Sequence, residues 1–297
     1  MRAFSCLNKG DIPEDMVRPG LGNDEDIMDD QSHMTAYHDH HCHLDAVAFD
    51  DDRDDVVARA RALGVTRCTL AATVREHWPR VIETAHRYGF DYQLGLHPYF
   101  MDQHRLEGAG HDIDALADLL AEFPRDQALV GIGECGVDKR FPETLKQQWA
   151  LFEAQLQLAK AYRLPVVIHC VRLYDEVAKR LRELQLPAGG IVHGFIGSVQ
   201  QAQRFVALGF RVGIGGAITW PRNERLRRVV AALPAEAIAL ESDAPDMPLW
   251  WPETQRPQWL RSHNGRDRNE PCMVARLAEQ VAALQAGNEA RHPRFPE

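Results

Sequence analysis

Short apolar runs alternate with amphipathic stretches along most of this chain. From Tyr37 onward, eight runs rich in Val, Ile, Leu and Ala have the length and composition of buried strands. These predicted strands cover residues 37–41, 65–72, 90–96, 127–133, 164–169, 189–193, 210–215 and 236–241. Each is followed by a stretch with helical spacing, and the predicted helices cover residues 52–63, 75–88, 112–122, 143–162, 172–185, 198–208, 222–232 and 270–286.

The order of these elements distinguishes two α/β architectures. Regular alternation over about 250 residues favours a single (β/α)8 TIM-type barrel over an open doubly wound sheet. Gly64, Gly89 and Gly209 each stand between a predicted helix and a predicted strand, where a left-handed helix end favours glycine. We therefore predict one barrel domain over residues 35–290, with its functional residues after the C-terminal ends of the strands.

The two ends of the chain lack this alternation. Residues 1–34 are acidic, contain Pro and Gly and show no strand or helix periodicity, which predicts a weakly ordered N-terminal extension. A translation start at Met34 and a regulatory arm are the two alternatives for this segment. Residues 291–297 are predicted to form a tail.

Composition and charge narrow the class of protein. The 297 residues are 45% hydrophobic and 26% charged, as in an ordinary globular protein. Six cysteines without a C-x-x-C pair fit a reducing compartment, and neither a signal peptide nor a membrane-spanning run is evident, so we expect a cytoplasmic protein without membrane partners. A monomer is favoured. The net charge of −9 argues against bulk electrostatic binding of nucleic acid, although a bound metal ion could supply positive charge locally.

The first predicted strand carries a run of histidines. Because strand side chains alternate, Asp39, His41 and His43 share one face, while His38 and His40 point the other way. Two imidazoles on one face of a barrel strand can bind one metal ion. A surface cluster of histidines is the alternative.

Further polar residues end other predicted strands. Glu134 follows the fourth strand, where a buried carboxylate needs a metal ion or, alternatively, a salt bridge. His169 and His193 end the fifth and sixth strands, although a single histidine in this position is often a core residue. Asp243 follows the eighth strand on the same face as Glu241, as a ligand, a general base or a helix N-cap.

Together these positions predict a metal centre. Its expected ligands are His41, His43, Glu134, His169, His193 and Asp243. Six nitrogen and oxygen ligands exceed the needs of one structural zinc ion. They suit one or two divalent ions (Mg²⁺, Mn²⁺ or Zn²⁺) with open positions, as in a metal-assisted hydrolase.

Several motifs resemble one known family. DHHCHLD, GLHP, GECGVD, VIHC, VHGFIGS, ESDAP and RNEP occur in the order and spacing of the TatD-type metal-dependent hydrolases, deoxyribonuclease-like members of the amidohydrolase superfamily. The resemblance covers residues 37–285. It implies a (β/α)8 barrel, a divalent metal centre built from the six ligands above, and phosphodiester hydrolysis of DNA.

The chain departs from the usual family pattern at two motifs. The family often has G-x-H-P-H after the third strand, where this chain has His97, Pro98 and then Tyr99. It often has H-S-R after the fifth strand, where Arg172 here stands one position later. His97 is a candidate phosphate contact, and Arg172 either binds substrate or solvates its helix.

The resulting hypothesis is a phosphodiesterase, a 3′→5′ deoxyribonuclease that acts on DNA ends or single-stranded DNA. Water acidified by the metal would attack phosphorus, with Asp243 as proton acceptor and Glu134 completing the metal site. The alternatives are an ester or amide hydrolase, such as a D-aminoacyl-tRNA deacylase, and a barrel subunit of a larger complex.

Other side chains have two interpretations each. The acidic run at residues 50–55 is predicted to be a solvated helix start, with a metal site as the alternative. Three residues before the last helix could position a phosphate or cap that helix, namely Arg266, Arg268 and Asn269. Four late tryptophans could stack on bases or cover the barrel mouth, namely Trp220, Trp250, Trp251 and Trp259.

Removal of residues 1–34 is predicted to leave stability and turnover unchanged, because the segment has no periodic apolar face to bury. Denaturant unfolding and turnover of the full and shortened chains test this. A loss of more than about 2 kcal/mol in unfolding free energy would show that the segment packs on the domain.

Overall fold

The computed structural model describes residues 36–108, 110–122 and 126–287. The predicted extension (1–34) and the predicted tail (291–297) lie outside these residues. Within them, no helix is long and apolar enough to cross a membrane.

Eight parallel strands form one sheet in which each strand pairs with the next along the chain. The strands are β1 (Tyr37–Cys42), β2 (Val65–Ala71), β3 (Asp91–Leu94), β4 (Leu129–Asp138), β5 (Val166–Val171), β6 (Gly190–His193), β7 (Phe210–Ile214) and β8 (Ile238–Leu240).

A helix follows each strand, which confirms the predicted (β/α)8 TIM-type barrel. The helices are α1 (Arg53–Ala62), α2 (Trp78–Tyr88), α3 (Asp112–Ala121), α4 (Leu145–Tyr162), α5 (Tyr174–Leu184), α6 (Val199–Ala207), α7 (Glu224–Ala232) and α8 (Met273–Gln285). A two-stranded hairpin, β9 (Ser262–His263) with β10 (Arg266–Asp267), lies between β8 and α8. Gly64, Gly89 and Gly209 have φ of 80°, 66° and 81°, as predicted for glycines that end helices.

The barrel closes through the segment that follows β8. The Asp243 backbone N–H donates to the His41 carbonyl (2.9 Å), and the His43 N–H donates to the Ala244 carbonyl (2.8 Å). Below these bonds, the fully buried Asp39 carboxylate accepts the backbone N–H (2.9 Å) and the hydroxyl (2.5 Å) of Ser242. The closure therefore brings His41, His43 and Asp243 together at one end of the barrel.

A small apolar layer lies in the barrel beneath that end. Val167, Ile191 and Ala239 form a buried cluster of their own. Each stands two residues before a polar residue at the end of its strand, so strand alternation directs both side chains to the same interior. The polar residues therefore rest on packed side chains.

The largest boundary difference is in β4, which was predicted to end at residue 133 and instead continues to Asp138. Glu134 and Cys135 thus lie within the strand, whereas the predicted strand end placed both of them after it. The glycines in this segment resemble turn signals, but they serve close strand packing: a Cβ at Gly136 would overlap the His169 carbonyl of β5.

A buried ion network joins α1 to the segment before α8. The Arg268 guanidinium is 2% exposed and donates to Asp52 (2.8 Å) and Glu270 (2.7 Å), both also buried. The prediction of a solvated acidic run is therefore wrong for Asp52. Arg268 binds these two carboxylates, so neither predicted role describes it.

Arg268→Ala is expected to lower the free energy of unfolding by about 3 kcal/mol, because it removes a cation from two buried carboxylates. Chemical denaturation followed by circular dichroism measures this loss. The matched control is Arg266→Ala at an exposed position, which should change stability by less than about 0.5 kcal/mol. Equal effects of the two substitutions would contradict the structural role of Arg268.

Candidate metal centre

The Glu134 carboxylate is the centre of a histidine cluster at the C-terminal end of the barrel. It is 2% exposed, and its two oxygens face different partners. Oε2 lies 3.1 Å from His41 Nε2 and 3.5 Å from His43 Nε2. Oε1 lies 3.0 Å from His169 Nδ1 and 3.7 Å from His193 Nε2. One carboxylate on β4 thus contacts histidines from three other strand ends.

Asp243 supplies the second carboxylate. Its Oδ1 lies 3.3 Å from the Nε2 atoms of both His41 and His43, and 3.8 Å from His193 Nε2. Its side chain is 12% exposed, more than that of Glu134, so it faces the opening of the barrel. The structure therefore brings all six predicted ligands into one cluster.

Three of the histidines each have one ring nitrogen that points away from Glu134 and Asp243. Each of these outward nitrogens faces a hydrogen-bond acceptor. His43 Nδ1 donates to the Ala71 carbonyl (2.8 Å), and His169 Nε2 donates to Asp138 Oδ2 (3.0 Å). His193 Nδ1 lies 3.1 Å from Glu241 Oε1. A proton on each outward nitrogen leaves the inward nitrogen with a lone pair that faces a carboxylate. This is the arrangement by which proteins orient metal-binding histidines.

His41 provides the clearest test of whether these residues fit a metal ion. Its ring is fully buried, and neither nitrogen makes a hydrogen bond within the described part of the chain. A lone pair 3.1 Å from a carboxylate oxygen is repelled unless a proton or a cation lies between them. Imidazole nitrogens and carboxylate oxygens are suitable ligands for Zn²⁺ and Mn²⁺. The residues therefore fit a divalent metal ion.

The charges of the cluster support the same conclusion. Burial opposes protonation of His41, but the carboxylates of Glu134 and Asp243 outweigh it and raise its pKa to about 9. Burial would raise the pKa of Glu134, yet the surrounding histidines hold it well below its usual range. The two carboxylates therefore favour positive charge on their neighbours. Protons on the histidines can supply this charge, and a metal ion that displaces those protons can supply it instead.

His97 lies within the cluster, where we had expected a phosphate contact. The Tyr99 backbone N–H donates to His97 Nδ1 (3.0 Å), so the proton of the neutral ring is on Nε2, which donates to Glu134 Oε1 (2.9 Å). Burial lowers the pKa of His97 to about 4 and keeps the ring neutral. The hydrogen bond orients the Glu134 carboxylate. A substrate contact of His97 stays a prediction.

Arg172, the other predicted substrate contact, is exposed just beyond the end of β5. It lies beside the loop after β4, because the Lys139 N–H donates to the carbonyl of Val171 (3.1 Å). The exposed side chains of Lys139 and Arg172 are thus both on the rim of the barrel end that carries the cluster. A role for Arg172 in binding substrate stays a prediction.

Two carboxylates of the site were not among the predicted site residues. The predicted fourth strand ended before Asp138, and Glu241 was noted only because it shares a strand face with Asp243. Glu241 is fully buried, accepts the Gly194 N–H (2.7 Å) and occupies space that a side chain at Gly213 would fill. Gly213 in strand β7 was the available signal, but sequence alone does not show that Glu241 fills the space beside it.

Other residues near the ligands do not join the cluster. His38 contacts the Thr69 hydroxyl and His40 the Leu240 carbonyl, as expected from their opposite strand face. The thiols beside the ligands, at Cys42, Cys135 and Cys170, are buried. Arginine guanidiniums lie within 5.8 Å of the rings of Trp220, Trp251 and Trp259.

Comparison with known proteins identifies similar sequences and structures. The family model described as "TatD related DNase" matches residues 38–291. The chain is 42% identical over 214 residues (71% of the chain and 80% of the relative) to the uncharacterized metal-dependent hydrolase YjjV of Escherichia coli K12. It is 33% identical over 257 residues (83% and 90%) to the 3′-5′ ssDNA/RNA exonuclease TatD of Pantoea sp..

A crystal structure of the YjjV protein, a TatD homologue from E. coli K12, superimposes with a TM-score of 0.71 at 36% identity. The match covers 85% of this chain and 95% of that one. Sequence, fold and barrel-end residues thus point to the same group of proteins.

Glu241→Gln is expected to weaken metal binding by about 10- to 100-fold, because the neutral amide orients His193 less firmly. Calorimetric titration of EDTA-treated protein with Zn²⁺ or Mn²⁺ measures the affinity. Glu236→Gln is the matched control, since Glu236 is an exposed carboxylate on the turn before β8. An unchanged affinity for Glu241→Gln would show that Glu241 does not support the site.

Proposed function

The chain belongs to the TatD-related DNase family of metal-dependent hydrolases, and from this premise we propose that it is a phosphodiesterase that removes nucleotides from the 3′ end of single-stranded DNA. The observation that carries the proposal is the Glu134-centred cluster, whose two carboxylates face histidine lone pairs. A site of this kind is suited to hydrolysis of an ester whose oxygens carry negative charge.

The cluster offers two adjoining sets of ligands. Glu134 Oε2 with His41, His43 and Asp243 forms one set, in which the carboxylates lie 3.1–3.5 Å from the imidazoles. Glu134 Oε1 with His169 and His193 forms the other. We infer that these two sets of residues would hold one or two divalent ions, with Glu134 belonging to both sets. Such ions stabilise charge on phosphoryl oxygens and lower the pKa of water.

Asp243 is the proposed proton acceptor. Nearby histidines hold its pKa well below the usual range despite its burial, so the carboxylate is ionised at neutral pH. Its side chain also faces the opening, whereas Glu134 is enclosed by histidines and oriented by His97. Asp243 is therefore placed to take a proton from attacking water, and Glu134 to hold the site together.

Substrate binding is proposed to be local and to involve few phosphates. The net charge of −9 gives the chain little long-range attraction for a polyanion, whereas Lys139 and Arg172 present exposed cations on the rim. Binding through few cations implies a shallow dependence of affinity on salt. A free strand end can enter the barrel mouth, and the name of the Pantoea relative, a 3′-5′ ssDNA/RNA exonuclease, supports this substrate.

We expect metal-dependent cleavage of linear single-stranded DNA from its 3′ end, weaker cleavage of blunt duplex and no cleavage of covalently closed circles. Gel analysis of end-labelled DNA, with Mg²⁺, Mn²⁺ or Zn²⁺ and with EDTA, distinguishes these outcomes. Efficient nicking of closed circles would contradict binding of strand ends. Turnover of an acyl ester without cleavage of any DNA would instead support an ester hydrolase.

The controls for this experiment are Glu134→Ala and Asp243→Ala, which should fold but lose activity on every DNA. Thermal melts of the EDTA-treated variants check the fold, and Glu236→Ala, which alters an exposed carboxylate, should retain full activity. Wild-type turnover by Glu134→Ala or Asp243→Ala would remove that residue from the proposed site.

A further inference from the structure

The mouth of the barrel combines apolar side chains with a charged interior. Of the five large hydrophobic side chains exposed in the described residues, three lie within five positions of a strand's C-terminal end: Val47, Tyr99 and Ile196. In a barrel of this kind these segments share the end that holds the cluster. This end of the barrel therefore presents apolar as well as charged groups to a ligand.

Tyr99 is the aromatic member of this set and is 52% exposed. Its ring is braced from two sides, because the rings of Phe100 and Phe141 meet it in edge-to-face contacts with centroids 5.0 Å away. Its backbone N–H is bound to His97 Nδ1 (3.0 Å). The ring is therefore held in place before any ligand binds, which lowers the entropy lost on binding.

The position of this ring relative to the cluster is also defined. The Tyr99 and His97 ring centroids are 6.5 Å apart, and His97 donates directly to Glu134. On the other side, Phe141 adjoins Arg140, whose guanidinium lies 5.8 Å from the Phe141 ring and pairs with Asp138. The next residue back along the chain is the exposed Lys139. An aromatic surface thus lies between the cluster and a cationic edge.

We propose that Tyr99 is the stacking platform of a nucleotide subsite, on which the base next to the scissile phosphodiester lies. This inference rests on the proposed function. A nucleotide joins a flat aromatic base to an anionic phosphate, which matches an exposed ring beside cations and a metal-binding cluster. Stacking accepts every base, so the subsite favours the presence of a base over its identity.

Three of the four late tryptophans are less suited to this role. The rings of Trp220, Trp251 and Trp259 each have an arginine guanidinium within 5.8 Å. The Trp220 indole N–H is also bound to the Pro248 carbonyl (3.2 Å). Tyr99 is the most exposed aromatic side chain among the large hydrophobic residues of the described chain.

The test compares two oligonucleotides that differ only in whether the 3′-terminal nucleotides carry bases or are abasic. Wild-type protein is expected to cleave the base-containing end with a kcat/KM about tenfold higher, mainly through KM. Tyr99→Phe should keep this preference because the ring remains. Tyr99→Ala should abolish it. Leu119→Ala, which shortens an exposed apolar side chain on α3, is the control and should keep it.

The outcomes separate this inference from the proposed function. Cleavage of DNA by the wild type with the same preference in Tyr99→Ala would overturn the stacking role alone. A uniform loss of activity on both oligonucleotides in Tyr99→Ala would show a structural role and would also overturn it. Failure of the wild-type protein with metal to cleave either oligonucleotide would overturn the proposed function, and the subsite with it.

Discussion

The Glu134 carboxylate is buried at the point where the ends of several strands meet, and this burial constrains the rest of the site. Removing a carboxylate from water costs several kcal/mol unless positive charge and hydrogen-bond donors replace the solvent. Here the replacement comes from four imidazoles within 3.5 Å of its oxygens, on segments that follow or end β1, β3 and β5. Because these segments are far apart in sequence, only a closed barrel can assemble them.

Barrel closure and the geometry of the site consequently depend on the same contacts. The bonds that join β1 to the segment after β8 involve the backbones of His41, His43 and Asp243 themselves. On the other side of Glu134, the absence of a side chain at Gly136 lets β4 lie against the His169 carbonyl. A change that opened the seam or separated β4 from β5 would therefore displace ligands as well as lower stability.

Much of this organisation could be predicted from the sequence. Alternating apolar runs gave the eight strands and eight helices because burial and periodicity are local properties. The six side chains that meet in the cluster were found as polar residues at strand ends. Asp138 could not be assigned, since the glycines of β4 resemble turn signals when their neighbour β5 is unknown. Glu241, His97 and Arg268 owe their roles to partners distant in sequence, and local patterns do not specify such partners.

The candidate metal ligands and the exposed Tyr99 ring are held by different parts of the barrel, and this difference bears on the choice of substrate. The candidate metal ligands belong to strand ends whose positions are set by barrel closure, so their geometry tolerates little change. Tyr99, by contrast, contributes an exposed ring that packs edge-to-face on Phe100 and Phe141, and its backbone N–H donates to His97. Its side chain can vary without moving a ligand. Under the proposed function, the barrel would therefore fix the positions of the reacting groups, and the rim residues would select the substrate. Variation of loops on a constant barrel is how one fold accommodates different substrates.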